Sequence, residues 1–244
     1  MTIRCSSSNS TSAFAAEAGF KPLFNGKDLT GWKGLDFWSV KDGAIVGQTT
    51  AEKPTKGNTF LVYQDDQPAN FELRLSFRLT GQNDKNWGNS GVQYRSKIVD
   101  AAGFVVGGYQ ADIDSPFKYT GMLYEEKGRG ILMNTGEKIK IGATTWAEDT
   151  KKKGTMRSKT AVEKLDGATP AAEIEAAYKL GQWTDLVIIA EGNHLRHYIN
   201  GKQTADIIDT DEKLGAKSGL LALQLHAGQP MTIEFKNLRL KTLP

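Results

Sequence analysis

The sequence predicts an all-β fold, a two-sheet antiparallel β-sandwich of the jelly-roll type with one short helical insertion. Three observations carry this expectation. Phe71, Leu73, Leu75, Phe77 and Leu79 alternate with Glu72, Arg74, Ser76, Arg78 and Thr80, so one strand face is dry and the other wet. That pattern belongs to antiparallel sheets, because parallel sheets are buried on both faces. Short apolar stretches then recur along the chain, about a dozen in all, separated by turn signals such as Asp42-Gly43 and Asn200-Gly201. Helical patterning is confined to one stretch, residues 171–180.

Taken in order, residues 19–32 hold two turn signals, Asn25-Gly26 and Thr30-Gly31, around short apolar pieces. Residues 37–48 read as a hairpin about Asp42-Gly43, whose residue types tolerate positive φ. Strands follow at 59–64, 70–80 and 91–96, with a polar loop carrying Trp87 before the third. The stretch 107–115 opens on two glycines and closes at Ser115-Pro116. Its alternation sets Gln110, Asp112 and Asp114 on one face and Tyr109, Ala111 and Ile113 on the other. Residues 121–126 and one or two short strands within 131–141 come next. From Trp146 to Leu180 the period-two pattern is lost and charge rises, as at Lys151, Lys152 and Lys153, so this reads as an insertion or lid. Within it a helix is expected over Ala171–Leu180, with Thr169 as N-cap and Pro170 at the first helical position. Strands return at 184–190, 195–200, 202–208, 218–226 and 231–240. No second core or low-complexity linker is visible, so residues 19–244 are expected to form one domain.

Composition narrows the function. The 244 residues carry 31 basic and 28 acidic side chains, a net charge of +3. With no Lys/Arg stripe interleaved with aromatics, nucleic acid is not an expected partner. No apolar run is long enough to form a transmembrane helix. A single cysteine, Cys5, excludes an internal disulfide. His194 and His197 are three apart on a strand and point to opposite faces, and with His226 they lack zinc spacing. Gly-rich phosphate loops, Gly-x-Ser-x-Gly elbows and Cys/His nucleophile arrangements are missing, so no cofactor is expected. Any divalent-metal requirement stays open. Residues 1–18 read as a tail, and Ala13-Phe14-Ala15-Ala16 has the small-residue character of a signal cleavage region, so an extracytoplasmic (periplasmic or secreted) protein is expected.

The chemistry concentrates on outward strand faces. Gln93 and Arg95, then Gln110, Asp112 and Asp114, then Gln224 and His226, are three polar sets at i, i+2 spacing. A curved sheet would gather them into a groove suited to a polyhydroxylated ligand, with Trp87, Tyr124 and Trp146 available to stack on sugar rings. Backbone positions two apart on a strand are about 6.6–6.8 Å apart, within the carboxyl spacings of glycosidases, about 5–9.5 Å. Asp112 and Asp114 therefore suit paired acid/base work. The competing readings are that one binds Ca²⁺ or caps the Ser115-Pro116 turn.

Five ordered motifs, Phe24–Trp32 (FNGKDLTGW), Asn89–Arg95 (NSGVQYR), Gly108–Asp114 (GYQADID), His197–Gly201 (HYING) and Leu223–Gly228 (LQLHAG), resemble the 3-keto-disaccharide hydrolase domain family. The likeness runs from about Gly19 to Leu240. It implies a concanavalin A-like sandwich and hydrolysis of glycosides whose sugar is oxidised at C3. Such a sugar has an acidic C2 proton; a base removes it, the enolate expels the C1 substituent, and water adds. The groups expected to do the proton work are Asp112, Asp114, Glu125 and His226. Asn89, Arg95, Gln110, Tyr124, Arg129 and Gln224 are the expected sugar or enolate binders. The laminarinase-type glucanases of the same fold use Glu-x-Asp-x-x-Glu; here Gln110, Asp112 and Ser115 occupy those positions, which argues against double displacement. The alternative function is a non-catalytic, lectin-like carbohydrate-binding module, and a third reading uses the 146–180 excursion as a partner interface.

Overall fold

A computed structural model describes residues 17–115 and 117–244. Ala13–Ala16 and Pro116, which entered the expectations above, lie outside the described residues. The strands come in the order β1 (Lys21–Pro22), β2 (Trp32–Lys33), β3 (Trp38–Lys41), β4 (Ala44–Thr49), β5 (Thr59–Tyr63), β6 (Phe71–Gly81), β7 (Gly88–Asp100), β8 (Val105–Ser115), β9 (Leu123–Glu126), β10 (Gly130–Met133), β11 (Lys138–Glu148) and β12 (Met156–Lys164). A helix, α1 (Ala171–Ala177), precedes β13 (Thr184–Glu191), β14 (His194–Ile199), β15 (Lys202–Asp209), β16 (Leu220–Leu225) and β17 (Met231–Thr242).

The strands form a β-sandwich. One sheet runs β12-β11-β15-β14-β13-β6-β17-β4-β3, with β1 also paired to β17; the other runs β10-β9-β8-β7-β16-β5-β2. Neighbours are antiparallel except for β11 beside β15. The alternating residues of β6 behave as their chemistry requires: Phe71, Leu73, Leu75, Phe77 and Leu79 are buried in the common core. Across the gap they meet Val92, Tyr94, Tyr109, Ala111, Ile113 and Leu123. The Phe71 and Tyr94 rings join the two layers edge to face, centroids 6.1 Å apart. A smaller cluster of Phe60, Val62, Val106 and Ala222 lies apart from this core, shielded by Phe104, Val105 and Leu220.

Two local readings are corrected. The stretch after Trp146 is not an irregular lid: β11 continues through it and returns as β12, with Trp146 opposite Ser158 and Thr144 opposite Thr160. Most of the hairpin is solvated on both faces, so it shows none of the hydrophobic alternation by which strands are recognised. The helix is shorter than expected. Pro170 rather than Thr169 occupies the N-cap, and the chain becomes extended at Tyr178. There the Tyr178 ring packs against Phe77 and Phe117, which outweighs continuing a short surface helix.

Arg95 also departs from its expected outward face. It sits in a β-bulge between Tyr94 and Lys97 with φ of 45°. A bulge re-aims the side chain of the extra residue. The buried guanidinium donates to three backbone carbonyls, those of Ala69 (2.5 and 2.9 Å), Gly192 (2.7 Å) and Ala216 (3.2 Å). It ties together the loops that carry those carbonyls. Arg95→Met should therefore lower stability by on the order of 3 kcal/mol, through carbonyls left unsatisfied; urea unfolding measures this.

Candidate functional site

The groove is built on the outer face of the seven-stranded sheet. Because Tyr109, Ala111 and Ile113 are drawn into the core, Gln110 and Asp112 must face out. The same alternation buries Leu221, Leu223 and Leu225 and turns Gln224 outward. Register then aligns the polar residues. Asp112 on β8 lies beside Gly91 on β7, which lies beside Gln224 on β16. Gly91 is required at the centre: a Cβ there would come within 2.5 Å of the Gln110 side chain.

The result is a cavity of about 250 Å³ lined by Asn89, Gln110, Asp112, Tyr124, Gln224 and His226, all expected from the sequence, together with Asn58, Tyr119, Met122, Glu126 and Ile131. Glu126 on β9 accepts hydrogen bonds from Gln224 Nε2 (3.0 Å) and Asn58 Nδ2 (3.2 Å). Two strands stand between β9 and β16. Side chains can meet over that distance, about 14 Å for three strand spacings, only if the face is concave.

Asp112 is the most perturbed group in the groove. Its Oδ1 accepts from Gln110 Nε2 at 2.6 Å and its Oδ2 from Asn89 Nδ2 at 3.3 Å. Gln110 is itself held by Gln93, whose Nε2 donates to Gln110 Oε1 at 2.7 Å. Burial pushes the Asp112 carboxyl up to about 8, with the negative charges of Asp114 and Glu126 adding to it and the two amide donors opposing it. Burial, then Glu126 and Asp112, likewise raise the Tyr124 phenol, so it remains a donor. The His226 Nδ1 faces the Ala227 carbonyl and must carry the proton in that contact, which leaves Nε2 as the basic nitrogen of the neutral ring. The Trp87 ring stands edge-on to His226, centroids 5.5 Å apart. Gln224 Oε1 is buried without a hydrogen-bond partner, an open acceptor in the groove lining. Among the described residues, no three His, Cys, Asp or Glu side chains converge as a metal site.

Besides Arg95, three expected site residues lie elsewhere. Asp114 faces out beside Asp112, but its carboxylate accepts from the backbone N–H groups of Lys118 (3.0 Å), Tyr119 (2.8 Å) and Thr120 (2.7 Å). It caps the loop that brings Tyr119 to the groove, which is the turn-capping alternative. Glu125 has the parity of Leu123, not of Tyr124, and turns inward. There it pairs with Arg129 at 2.6 Å, and Arg129 also pairs with Asp209 at 2.7 Å. The groove carboxylate on β9 is Glu126. Its i, i+2 relation to Tyr124 was the available signal; Asn58 and Tyr119, on loops, offered none.

Glu125→Gln and Glu126→Gln should thus separate. Breaking the buried cluster at Glu125 should cost about 3–5 kcal/mol while the folded protein keeps its groove. Glu126→Gln should leave unfolding midpoints nearly unchanged and weaken ligand binding. Chemical denaturation beside sugar titration reads both.

No curated protein matches the chain in sequence. Among solved structures, a candidate glycosyl hydrolase of Parabacteroides distasonis ATCC 8503 superposes with a TM-score of 0.56 at 21% identity, covering 93% of this chain and 94% of the other. The carbohydrate-binding module CBM66 of Bacillus subtilis gives a TM-score of 0.53 at 16% identity, covering 87% and 96%. A Bacillus subtilis protein of unknown function with a galectin-like fold gives 0.55 at 11% identity, covering 91% and 94%. At these identities the likeness concerns the fold. Sequence reaches further: residues 19–241 match the family described as the 3-keto-alpha-glucoside-1,2-lyase-like domain, and the chain belongs to that family.

Proposed function

We propose that the groove binds a glycoside whose sugar is oxidised at C3 and cleaves its glycosidic bond by elimination, followed by hydration. The observation that carries this reading is Asp112, a carboxyl lining the groove with its pKa pushed up to about 8. A binding module has no need of a group tuned close to neutrality, whereas a general base does. Membership of the family supports the substrate class.

In this mechanism ionised Asp112 takes the C2 proton, and the C2–H electrons delocalise onto the C3 oxygen as an enolate. The phenol groups of Tyr119 and Tyr124 supply donors for that oxygen. The enolate then re-forms the C3 carbonyl and a C1=C2 double bond as the C1–O bond breaks. His226 passes a proton to the leaving oxygen. Water adds at C1 and gives up a proton to His226, which restores the group that protonated the leaving oxygen, and the proton held by Asp112 returns to C2, giving the free 3-keto sugar. Gln224 Oε1, the open acceptor, receives a sugar hydroxyl.

The test is aglycone release from a 3-keto-glucoside beside the parent glucoside. Release is expected from the keto form only, with Asp112→Asn lowering kcat by about 10²–10⁴-fold. Release from the parent glucoside would indicate direct glycosidase chemistry. Release from neither, with sugar still bound, would leave a carbohydrate-binding module.

Two pH responses follow from Asp112. As a base it must be ionised, so kcat/KM should show a limb rising through about pH 8, and Asp112→Asn should remove that limb. Stability runs the other way. A carboxyl whose folded pKa is raised stabilises the fold fully below its unfolded value, near 3.9, and that contribution is lost as pH rises towards about 8. Asp112→Asn should accordingly raise Tm at pH 9 relative to the parent protein, and the difference should narrow towards pH 4 in thermal scans.

A further inference from the structure

Beyond β10, next to the groove, lies a second cavity of about 480 Å³, between the Gly128–Ile131 turn and the β11–β12 hairpin. Ile131, 54% exposed, lines both cavities. It stands opposite Tyr124, the groove aromatic, so the two cavities lie side by side across neighbouring strands.

The hairpin wall has an unusual origin. Ile139 and Ile141 of β11 lie in the core, paired with Lys164 and Val162 of β12. Past Ile141 a register shift inserts an extra residue into β11, so that Thr144 and Trp146 come to lie opposite Thr160 and Ser158. Cross-strand partners share a face. Trp146, Ser158, Thr160, Val162 and Met156 therefore continue the core-facing side of the larger sheet. β10 is the last strand of the other sheet, and among the described residues no further strand covers this extension. Trp146, Met156 and Val162 are left 46%, 61% and 43% exposed. The wall is nonetheless anchored to the groove, because Ser158 Oγ donates to the Arg129 carbonyl at 2.8 Å. Arg129 is in turn locked by Glu125 and Asp209.

We propose that this cavity is an extended subsite holding a further sugar ring of the substrate, stacked on Trp146. The inference rests on the carbohydrate reading of the groove. A sugar ring fits better than a purely apolar group because one aromatic plane is set among Asp149, Arg157, Ser158 and Thr160, which pair with hydroxyls. Because Ile131 lines both cavities, a ligand chain leaving the groove over it reaches this one. Two strand spacings, about 10 Å, separate β8, which bears Asp112, from β10, so the protein takes oligosaccharides in preference to simple glycosides.

The experiment compares methyl 3-keto-glucoside with 3-keto derivatives of linear glucotrioses, using the parent protein and Trp146→Ala. Trp146 is exposed, so the variant should fold. The expected result is a loss of about tenfold in kcat/KM for a trisaccharide derivative, carried by KM, with the methyl glycoside within twofold of the parent. Equal losses on both substrates, or no loss on either, overturn the subsite. If the parent protein turns over none of these substrates, the elimination reading fails and the subsite is judged by tryptophan-fluorescence titration with the unoxidised glucotrioses and glucose. Tighter trisaccharide binding that Trp146→Ala abolishes sustains it; binding no tighter than glucose, or unaffected by the variant, overturns it.

Discussion

The groove side chains of β8 and β16 are held in place by the burial of their neighbours along the chain. Tyr109, Ala111 and Ile113 are packed between the sheets, and this fixes Gln110 and Asp112 on the opposite face. The buried leucines of β16 do the same for Gln224. A one-residue slip in either strand would exchange the sets, placing carboxylates and amides in the core. Each buried apolar side chain favours the native register by roughly 1.5–3 kcal/mol, so the register of the site is set by packing on the far side of the sheet. The chemistry itself contributes little to holding its own geometry.

Within that frame the groove is assembled from amides and acids. Gln93 donates to Gln110, which with Asn89 donates to Asp112, and Asn58 and Gln224 converge on Glu126. Amides are neutral, so they orient the carboxylates without strongly stabilising their charge. The cations Arg95 and Arg129 are instead spent on structure, one against carbonyls and the other against Glu125 and Asp209. That division lets Asp112 hold its proton near neutral pH, because among the described residues no guanidinium acts on it to pull its pKa down.

What was legible in the sequence followed the reach of the alternation rule. Strands with one dry face, such as β6, β8 and β16, announced both their type and the direction of each side chain. The rule failed where its premise failed. At Arg95 a bulge broke the period; at Glu125 and Glu126 two adjacent acids had to be told apart by parity; along β11–β12 both faces met water and left no hydrophobic signal. Asn58 and Tyr119 reach the groove from loops, whose course depends on contacts distant in the chain. The family motifs, by contrast, identified the family without any of this geometry.

The β11–β12 hairpin has a consequence for the protein in company. β12 is the outermost strand of its sheet, and its free backbone edge is a template on which another strand could grow. The edge and the turn leading into it carry Lys151, Lys152, Lys153, Arg157, Lys159 and Lys164. Like charges brought together by edge-to-edge pairing repel, and lysine is the residue natural sheets most use to blunt such edges. That repulsion is screened at high ionic strength, so the solubility of the protein is tied to salt through a strand that takes no part in the core.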